Sequence, residues 1–231
     1  MGMEAHGLHQ EQIAGRLHSE PRWVAVPRRS IDVVFSLGLL IVLAPVMIAI
    51  AIAIRIDSQG PALFRQRRVG YRGRTFTVLK FRSMCLDADP ERHREYVTSL
   101  IRGTNTQPDP TGKDLYKLTV DQRITRVGRW IRRWSLDELP QLVNVLGGTM
   151  AIVGPRPAIP YEVEEYPTWY LRRFDVKPGL TGLWQVNGRN ERTYEEMVRL
   201  DVEYAERRSL FLDLSILART PLVVLGRRGV S

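Results

Sequence analysis

The stretch VVFSLGLLIVLAPVMIAIAIAI, Val33 to Ile54, runs for 22 residues without a charge. As a helix rising about 1.5 Å per residue, it is long enough to cross the apolar core of a bilayer. Pro45 sits near its middle, where it removes one helical hydrogen bond and bends the axis. Two arrangements satisfy this pattern. A kinked helix spans the membrane, or a helix broken at Ala44-Pro45 enters and returns to the same face. The second requires that backbone groups freed at membrane depth be satisfied within the protein, by a side chain such as Ser36 or by other contacts. Pattern alone favours the span. Arg28 and Arg29 precede the run and Arg55 closes it, so charge gives only a weak vote on orientation. The run is long for the apolar part of a secretion signal, begins late and lacks a small-x-small end, which argues against a cleaved leader.

Everything from Arg55 onward reads as a water-facing, basic domain. Of 231 residues, 34 are Lys or Arg and 25 are Asp or Glu. Up to Ile54 the charges balance, so the whole excess of +9 falls downstream. Such a surplus attracts anionic lipid, phosphate-rich ligands or nucleic acid, without choosing among them. The length allows one membrane element and one compact domain, not a multi-pass transporter. Cys85 is the sole cysteine, which excludes an internal disulfide and suits a reducing compartment.

The organisation follows from local signals. Met1 to Pro27 is polar and irregular, a tail. Ala62–Arg68 and Thr75–Phe81 have strand composition and are joined by Gly70-Tyr71-Arg72-Gly73, a hairpin carrying Arg65, Arg67, Arg68, Arg72 and Arg74. This is either a solvated basic hairpin or an edge facing phosphate or headgroups. Asp87 to Leu100 suits a charged helix, and Gly103 to Lys113 a flexible loop. Val127, Trp130, Ile131 and Trp134 share one helical face, opposite Arg126, Arg129, Arg132 and Arg133. That helix either lies on a membrane surface or packs on the core. Leu139, Leu142, Val143 and Leu146 form the next stripe, with Ser135 and Glu138 placed as a capping box and Gly147-Gly148 as the stop. Met150–Val153 is a short apolar strand, and Gly154-Pro155-Arg156-Pro157 forces a rigid bend. Val163–Phe174 is helical in part, interrupted near Pro167. Pro178-Gly179 and Thr181-Gly182 are turn signals. Thr193 and Glu196 form a second capping box, opening a helix toward Arg207. Leu210–Leu217 is a further amphipathic segment, followed by apolar Pro221–Leu225.

The chemistry is narrower. His6, His9, His18 and His93 are scattered, so a zinc site or a histidine-based hydrolase is disfavoured, and no Walker A sequence occurs. Gly70 and Gly73 make no dinucleotide fingerprint. The pair Asp137-Glu138 is the best candidate. At a helix N-terminus both carboxylates lie near free backbone N–H groups. One is then suited to attack phosphorus and the other to hold Mg²⁺ over phosphate oxygens. The alternative is that Glu138 is only a cap partner and Asp137 a first-turn charge, with Arg156 and Arg189 mere surface cations.

Five runs bear on that choice. They are Lys80-Phe81-Arg82-Ser83-Met84, Asp121-Gln122-Arg123-Ile124-Thr125-Arg126-Val127-Gly128, and the segment Ser135-Leu136-Asp137-Glu138-Leu139-Pro140-Gln141 continuing to Met150. Val153-Gly154-Pro155-Arg156-Pro157 and the segment from Lys177 through Trp184 and Gln185 to Asn190 complete the set. In this order, over Arg28 to the C-terminus, they resemble the bacterial sugar transferases, the monotopic polyprenyl-phosphate phosphoglycosyl transferases. The Gly-Leu-Trp-Gln form is similar to that of the hexose-1-phosphate-transferring branch, without the four-helix membrane region that many of its members carry.

The resemblance implies an enzyme that moves a sugar 1-phosphate from a UDP-sugar to undecaprenyl phosphate, releasing UMP. Asp137 would be the nucleophile and would carry the phosphosugar. Glu138 would bind Mg²⁺. Arg156 would contact the phosphate-bearing substrate, and Arg123, Arg126, Gln185, Asn187 and Arg189 would line the site. It also reverses the topological preference, since the family's N-terminal helix is re-entrant and broken at a Ser-Pro pair. Here the pair is Ala44-Pro45, with Arg28, Arg29, Asp32 and Pro45 as the anchoring residues. The implied fold is α+β: a tail over 1–27, a broken re-entrant helix over 28–56, and a catalytic domain over 57–231 with a small hairpin and several membrane-surface helices. The implied place is the cytosolic face of the bacterial cytoplasmic membrane, among its lipids. There it would start exopolysaccharide, O-antigen or related glycan assembly and pass product to downstream glycosyltransferases. Amphipathic elements are also suited to contacts in a homodimer. The rival readings are a non-catalytic scaffold that binds lipid phosphate at the membrane surface, and a nucleic-acid-binding protein. The latter has no recognisable reader motif in its favour.

Overall fold

A computed structural model of the chain describes residues 22–85, 91–103, 123–188 and 192–226. The first element is a single long helix, α1 (Arg22–Asp57), with Pro27 and Pro45 inside it. It begins within the stretch expected as tail. It also differs from the expected broken helix: helical backbone continues through Ala44-Pro45. Proline's fixed φ is itself helical, so its loss is one N–H bond and a bend, which a long helix absorbs. Ser36 does not serve the break. Its hydroxyl donates to the Asp32 and Val33 carbonyls at 2.6 and 3.2 Å, one turn back. Over Val26–Asp57 the helix is long and apolar enough to cross a membrane.

One stripe of α1 packs on the rest of the molecule. Arg28, Ser36, Ile50 and Ile54 are buried, while Val34, Ile41, Val42 and Ile48 on other faces are exposed. Ile50 and Ile54 join Phe81 and Ile131 in one core cluster. Strands β1 (Leu63–Val69) and β2 (Thr75–Phe81) form the expected antiparallel hairpin, in register Leu63↔Phe81 through Val69↔Thr75. Its tip is a 3-10 turn in which Arg72 and Gly73 take positive φ (58° and 70°). Helix α2 (Glu91–Ile101) covers the later part of the charged helix expected from Asp87. The expected loop from Gly103 lies outside the described residues beyond that glycine.

Helix α3 (Arg126–Arg133) is capped by Thr125, whose hydroxyl accepts from the Gly128 N–H at 2.9 Å. Its core side is Gly128 and Ile131. Trp130, expected on the same face as Ile131, is 54% exposed. A 3-10 turn (Leu136–Glu138) leads into α4 (Gln141–Leu146). The expected capping box at Ser135 and Glu138 does not form, because Ser135 is left-handed (φ 56°, ψ 20°) and its side chain caps nothing. The buried side of α4 is Gln141, Leu142, Asn144 and Val145; of the predicted stripe Leu142 is buried and Leu139 and Leu146 are partly buried, while Val143 points outward. Asn144 ties α4 to β2: its Oδ1 accepts from Leu79 N at 3.0 Å and its Nδ2 donates to the Thr77 carbonyl at 2.7 Å.

Strand β3 (Ala151–Val153) pairs in parallel with β4 (Gly179–Thr181). The Pro178-Gly179 and Thr181-Gly182 signals therefore flank a strand as well as turns. Helix α5 (Pro160–Glu164) and a 3-10 stretch (Thr168–Asp175) are separated at Pro167, as expected. Helix α6 (Leu183–Val186) is one turn. Helix α7 (Tyr194–Arg207) carries the expected capping box: Thr193 Oγ1 accepts from Glu196 N at 3.3 Å and Glu196 Oε2 accepts from Thr193 N at 2.9 Å. The last two apolar segments form one helix, α8 (Leu210–Leu225), running through Pro221. Phe211, Leu214, Leu222 and Leu225 on it face outward.

Two further clusters make the core. One gathers Tyr166, Tyr170, Phe174, Trp184, Met197 and Val198. The other joins Val78, Val145, Met150, Ile152, Tyr204 and Ile216, so that β2, α4, β3, α7 and α8 share one interior.

Candidate active site

The acidic pair lies on the 3-10 turn between α3 and α4. Left-handed Ser135 reverses the chain just before it, a strained conformation for a non-glycine residue. Lys80, at the end of β2, reaches across to the pair: its Nζ lies 2.8 Å from Glu138 Oε1, with both side chains partly exposed. Asp137 is also partly exposed. A lysine between β2 and the turn offers positive charge where phosphate oxygens would gather.

The same turn is braced by the segment that follows Lys80. Arg82 is buried and holds the end of α1, donating from Nη2 to the Ser58 carbonyl at 2.8 Å and to the Ser58 hydroxyl at 3.0 Å, and from Nη1 to the Gln59 carbonyl. Ser83 accepts from Thr125 N at 3.1 Å, and Cys85 N donates to the Arg123 carbonyl at 2.9 Å. A Cβ on Gly128 would fall 2.1 Å from the Ser83 carbonyl oxygen, so α3 approaches the segment after β2 as only glycine permits. Asp57 adds a cap to the same corner, accepting from Val127 N at 3.0 Å. Three of the quoted runs, those containing Lys80, Gly128 and Asp137, thus meet in one place. Arg123 is partly exposed here, and Arg126 is exposed on the first turn of α3.

The other two runs meet beside the hairpin tip. Gly154 N donates to the Thr181 carbonyl at 2.9 Å, and Gly179 N to the Pro155 carbonyl at 2.8 Å. Arg68, also buried, donates from Nη1 to the Pro157 carbonyl at 2.9 Å. Arg156 pairs with buried Glu162, Nη1 to Oε2 at 3.3 Å. Burial works to raise the Glu162 carboxyl pKa, but Arg156, Arg68, the Ile159 N–H and Arg173 outweigh it and hold it below the usual glutamate value. Gln185 sits on α6 with its Oε1 buried and unpaired, and Asn187 Nδ2 donates to the Leu183 carbonyl at 2.8 Å. Arg189 lies outside the described residues.

The hairpin links the two assemblies. Lys80 pairs with Phe64 on β1, and Arg68 and Val69, which hold the Pro-Arg-Pro turn, follow on the same strand. From Phe64 to Arg68 is about 13 Å of strand at 3.3 Å per residue. A diphosphate-bearing molecule with a nucleoside or sugar at either end covers that order of distance.

Among the described residues, no group of three or more His, Cys, Asp and Glu gathers as a metal cage. Mg²⁺ needs none, since one or two carboxylates with substrate phosphates and water complete its octahedron. Asp137 and Glu138 fit that donor set. Sequence reasoning did not assign Lys80, Glu162, Arg173 or Asp201. Lys80 stood in a quoted run, but its partner lies far along the chain, and pairing across such separations leaves no local signal.

The chain matches the family model of bacterial sugar transferases over residues 23–227. It is 42% identical over 205 residues to the undecaprenyl-phosphate galactose phosphotransferase of Salmonella typhimurium, covering 87% of this chain and 41% of that one. It is 41% identical over 205 residues to the UDP-glucose:undecaprenyl-phosphate glucose-1-phosphate transferase of Xanthomonas campestris pv. campestris, covering 85% and 38%. It is 39% identical over 206 residues to the exopolysaccharide production protein ExoY of Sinorhizobium fredii, covering 87% of each. The chain thus spans about two fifths of the first two relatives and most of the third.

Proposed function

The chain belongs to the bacterial sugar transferase family, and from that premise we propose that it transfers a sugar 1-phosphate, a hexose 1-phosphate, from a UDP-sugar to undecaprenyl phosphate. The observation that carries this reading is the acidic turn, with Asp137-Glu138 presented beside Lys80 where three runs converge. An oxygen of Asp137 attacks the β-phosphorus of the donor. The bond from that phosphorus to the bridging oxygen breaks, and UMP leaves. The phosphosugar is then held as an acyl phosphate on Asp137. A phosphate oxygen of undecaprenyl phosphate attacks the same phosphorus, the bond to Asp137 breaks, and undecaprenyl-diphosphate sugar departs. One site serves both transfers, which splits a difficult displacement into two similar ones. Glu138 would hold Mg²⁺ beside Asp137, and the ion when bound neutralises charge on the phosphate oxygens. Lys80 orients Glu138 through their ion pair, and Arg156 is the phosphate contact from the second assembly. Arg123, Arg126, Gln185, Asn187 and Arg189 stand as further lining residues.

The membrane arrangement proposed is monotopic, with the catalytic domain on the cytosolic face and the prenyl tail left in lipid. Two sets of contacts support it. At one end of the apolar run, Arg29 donates to the Val145 and Leu146 carbonyls at 2.6 Å each, and Asp32 accepts from Ile152 N at 2.9 Å. At the other, Asp57 accepts from Val127 N and Arg82 holds Ser58. A helical run of this length is about 33 Å long measured along its axis. Ends bonded to one compact domain belong on one side of a bilayer. The lipid-linked sugar would then prime an exopolysaccharide or related glycan for the glycosyltransferases that extend it.

The test is UMP release by the protein in lipid nanodiscs containing undecaprenyl phosphate and Mg²⁺, with a panel of UDP-sugars. One donor giving lipid-dependent UMP, abolished by D137N, is the expected result and names the sugar. Folded protein that turns over none of them would sink the proposal in favour of a lipid-phosphate-binding scaffold.

A further inference from the structure

Arg156 is gripped at three points. Its main-chain N–H donates to Asp201 Oδ2 at 3.3 Å, and its carbonyl accepts from Arg173 Nη2 at 2.9 Å. Its guanidinium Nη1 faces both oxygens of Glu162, at 3.4 and 3.3 Å. The three holders come from separate elements: Glu162 from α5, Arg173 from the 3-10 stretch, and Asp201 from α7. All three are buried, with Glu162 and Asp201 fully enclosed. They are also joined to each other. Arg173 forms an ion pair with Asp201 and donates to the Tyr166 hydroxyl at 3.0 Å, and that hydroxyl lies 3.4 Å from Glu162 Oε2.

A buried set of charges of this kind is a poor way to gain stability. Taking each ion out of water is costly, and well-packed apolar side chains of similar volume often do as well or better. What such a set supplies is geometry. The Arg156 side chain remains 14% exposed, so it reaches the surface from a base whose N–H, C=O and guanidinium are all fixed. Its rotamer entropy is already spent before a phosphate arrives, which is the condition for strong preorganised electrostatic contact.

We propose that Glu162, Arg173 and Asp201 are positioning residues that act through Arg156, setting its guanidinium for the phosphate-bearing substrate. This rests on Arg156 being the phosphate contact in the reaction proposed above. None of the three touches the reacting atoms in this proposal. Their effect is therefore conditional: with Arg156 altered, Glu162 should no longer matter.

The test is a double-mutant cycle of E162Q and R156K, read as kcat/KM for UMP release in nanodiscs and, in parallel, as UDP binding by calorimetry. Each single variant should lose up to about 100-fold in kcat/KM, as misplacing a positioned group does. The double variant should fall no further than R156K. Multiplying losses would mean that Glu162 acts on general stability, and would overturn the proposal. E165Q is the control and should match wild type, since Glu165 pairs with Arg102 at the surface. Should E162Q not melt cooperatively, E162D replaces it; it keeps the charge, moves the carboxylate, and must give the same non-additivity. The calorimetric cycle separates the two layers of inference. Non-additive loss of UDP affinity supports the clamp even in a protein that turns over no tested donor. An R156K variant that binds UDP and reacts like wild type would remove both the phosphate role of Arg156 and the clamp.

Discussion

Asp201 shows how a single buried carboxyl carries both strain and order. Burial pushes its pKa up to about 6, against the pull of the Arg173 guanidinium, the Arg156 N–H and the Arg156 charge. Tyr166, Tyr194 and Glu162 face the same pocket of charge around Arg173. Because the folded state holds this proton more tightly than the unfolded chain, the group's contribution to stability is full below its ordinary value of 3.8. It is lost as pH rises through about 6. The melting temperature of wild type relative to D201N should therefore decline between pH 4 and pH 7, measured in the same detergent at each pH. A difference that stays flat over that range would mean that Asp201 does not titrate there. Ser135 is a second instructive residue. Serine three positions before glutamate is the pattern of a helix start, yet here the serine turns left-handed and the glutamate is taken by Lys80. The same residue types serve a cap in one place and an acidic turn here, where the glutamate meets a distant lysine.

Among the elements, α3 is the one whose seating decides where Asp137 stands. It docks through Gly128 against the Ser83 backbone, and the acidic turn follows directly. G128A forces the two apart, disturbing the Thr125–Ser83 and Cys85–Arg123 bonds beside it. The expected cost is about 1–3 kcal/mol of stability, as for other overpacked contacts, with a fall in UMP release larger than the loss of folded protein. Thermal melting paired with the activity assay measures both. Elements specified by neighbouring residues were legible in the sequence. The hairpin followed from strand composition around Gly70 and Gly73, and α7 from Thr193 and Glu196. Elements specified by remote partners were not. Gly179 is a strand residue because Ala151 lies opposite it, and Asn144 faces inward because the Thr77 and Leu79 backbone awaits it. The acidic pair was legible as a candidate. The clamp around Arg156 was not, because its members are spread from Glu162 to Asp201 and each is an ordinary surface-type residue when met alone.

At the scale of the whole molecule, α1 and the domain form one body. Arg28 pairs with Asp213 on α8 at 3.1 Å, and the Tyr204 hydroxyl joins Asp213 at 2.7 Å to the Val153 carbonyl at 3.1 Å. This arrangement predicts a topology. Cysteines placed at Val26 and Ile56, both exposed, in a C85S background should react with an impermeant maleimide from the same side of inverted membrane vesicles. Labelling from opposite sides would mean a span. The shared cluster of Ile50, Ile54, Phe81 and Ile131 has a practical corollary for anyone handling the protein. Trimming the greasy segment to obtain a water-soluble protein would remove a wall of the interior, along with the groups that occupy the Val145, Leu146 and Ile152 backbone. The apolar helix is an organ of the fold, whatever else it does. The amphiphile chosen for extraction must cover its outer face while leaving its inner stripe seated.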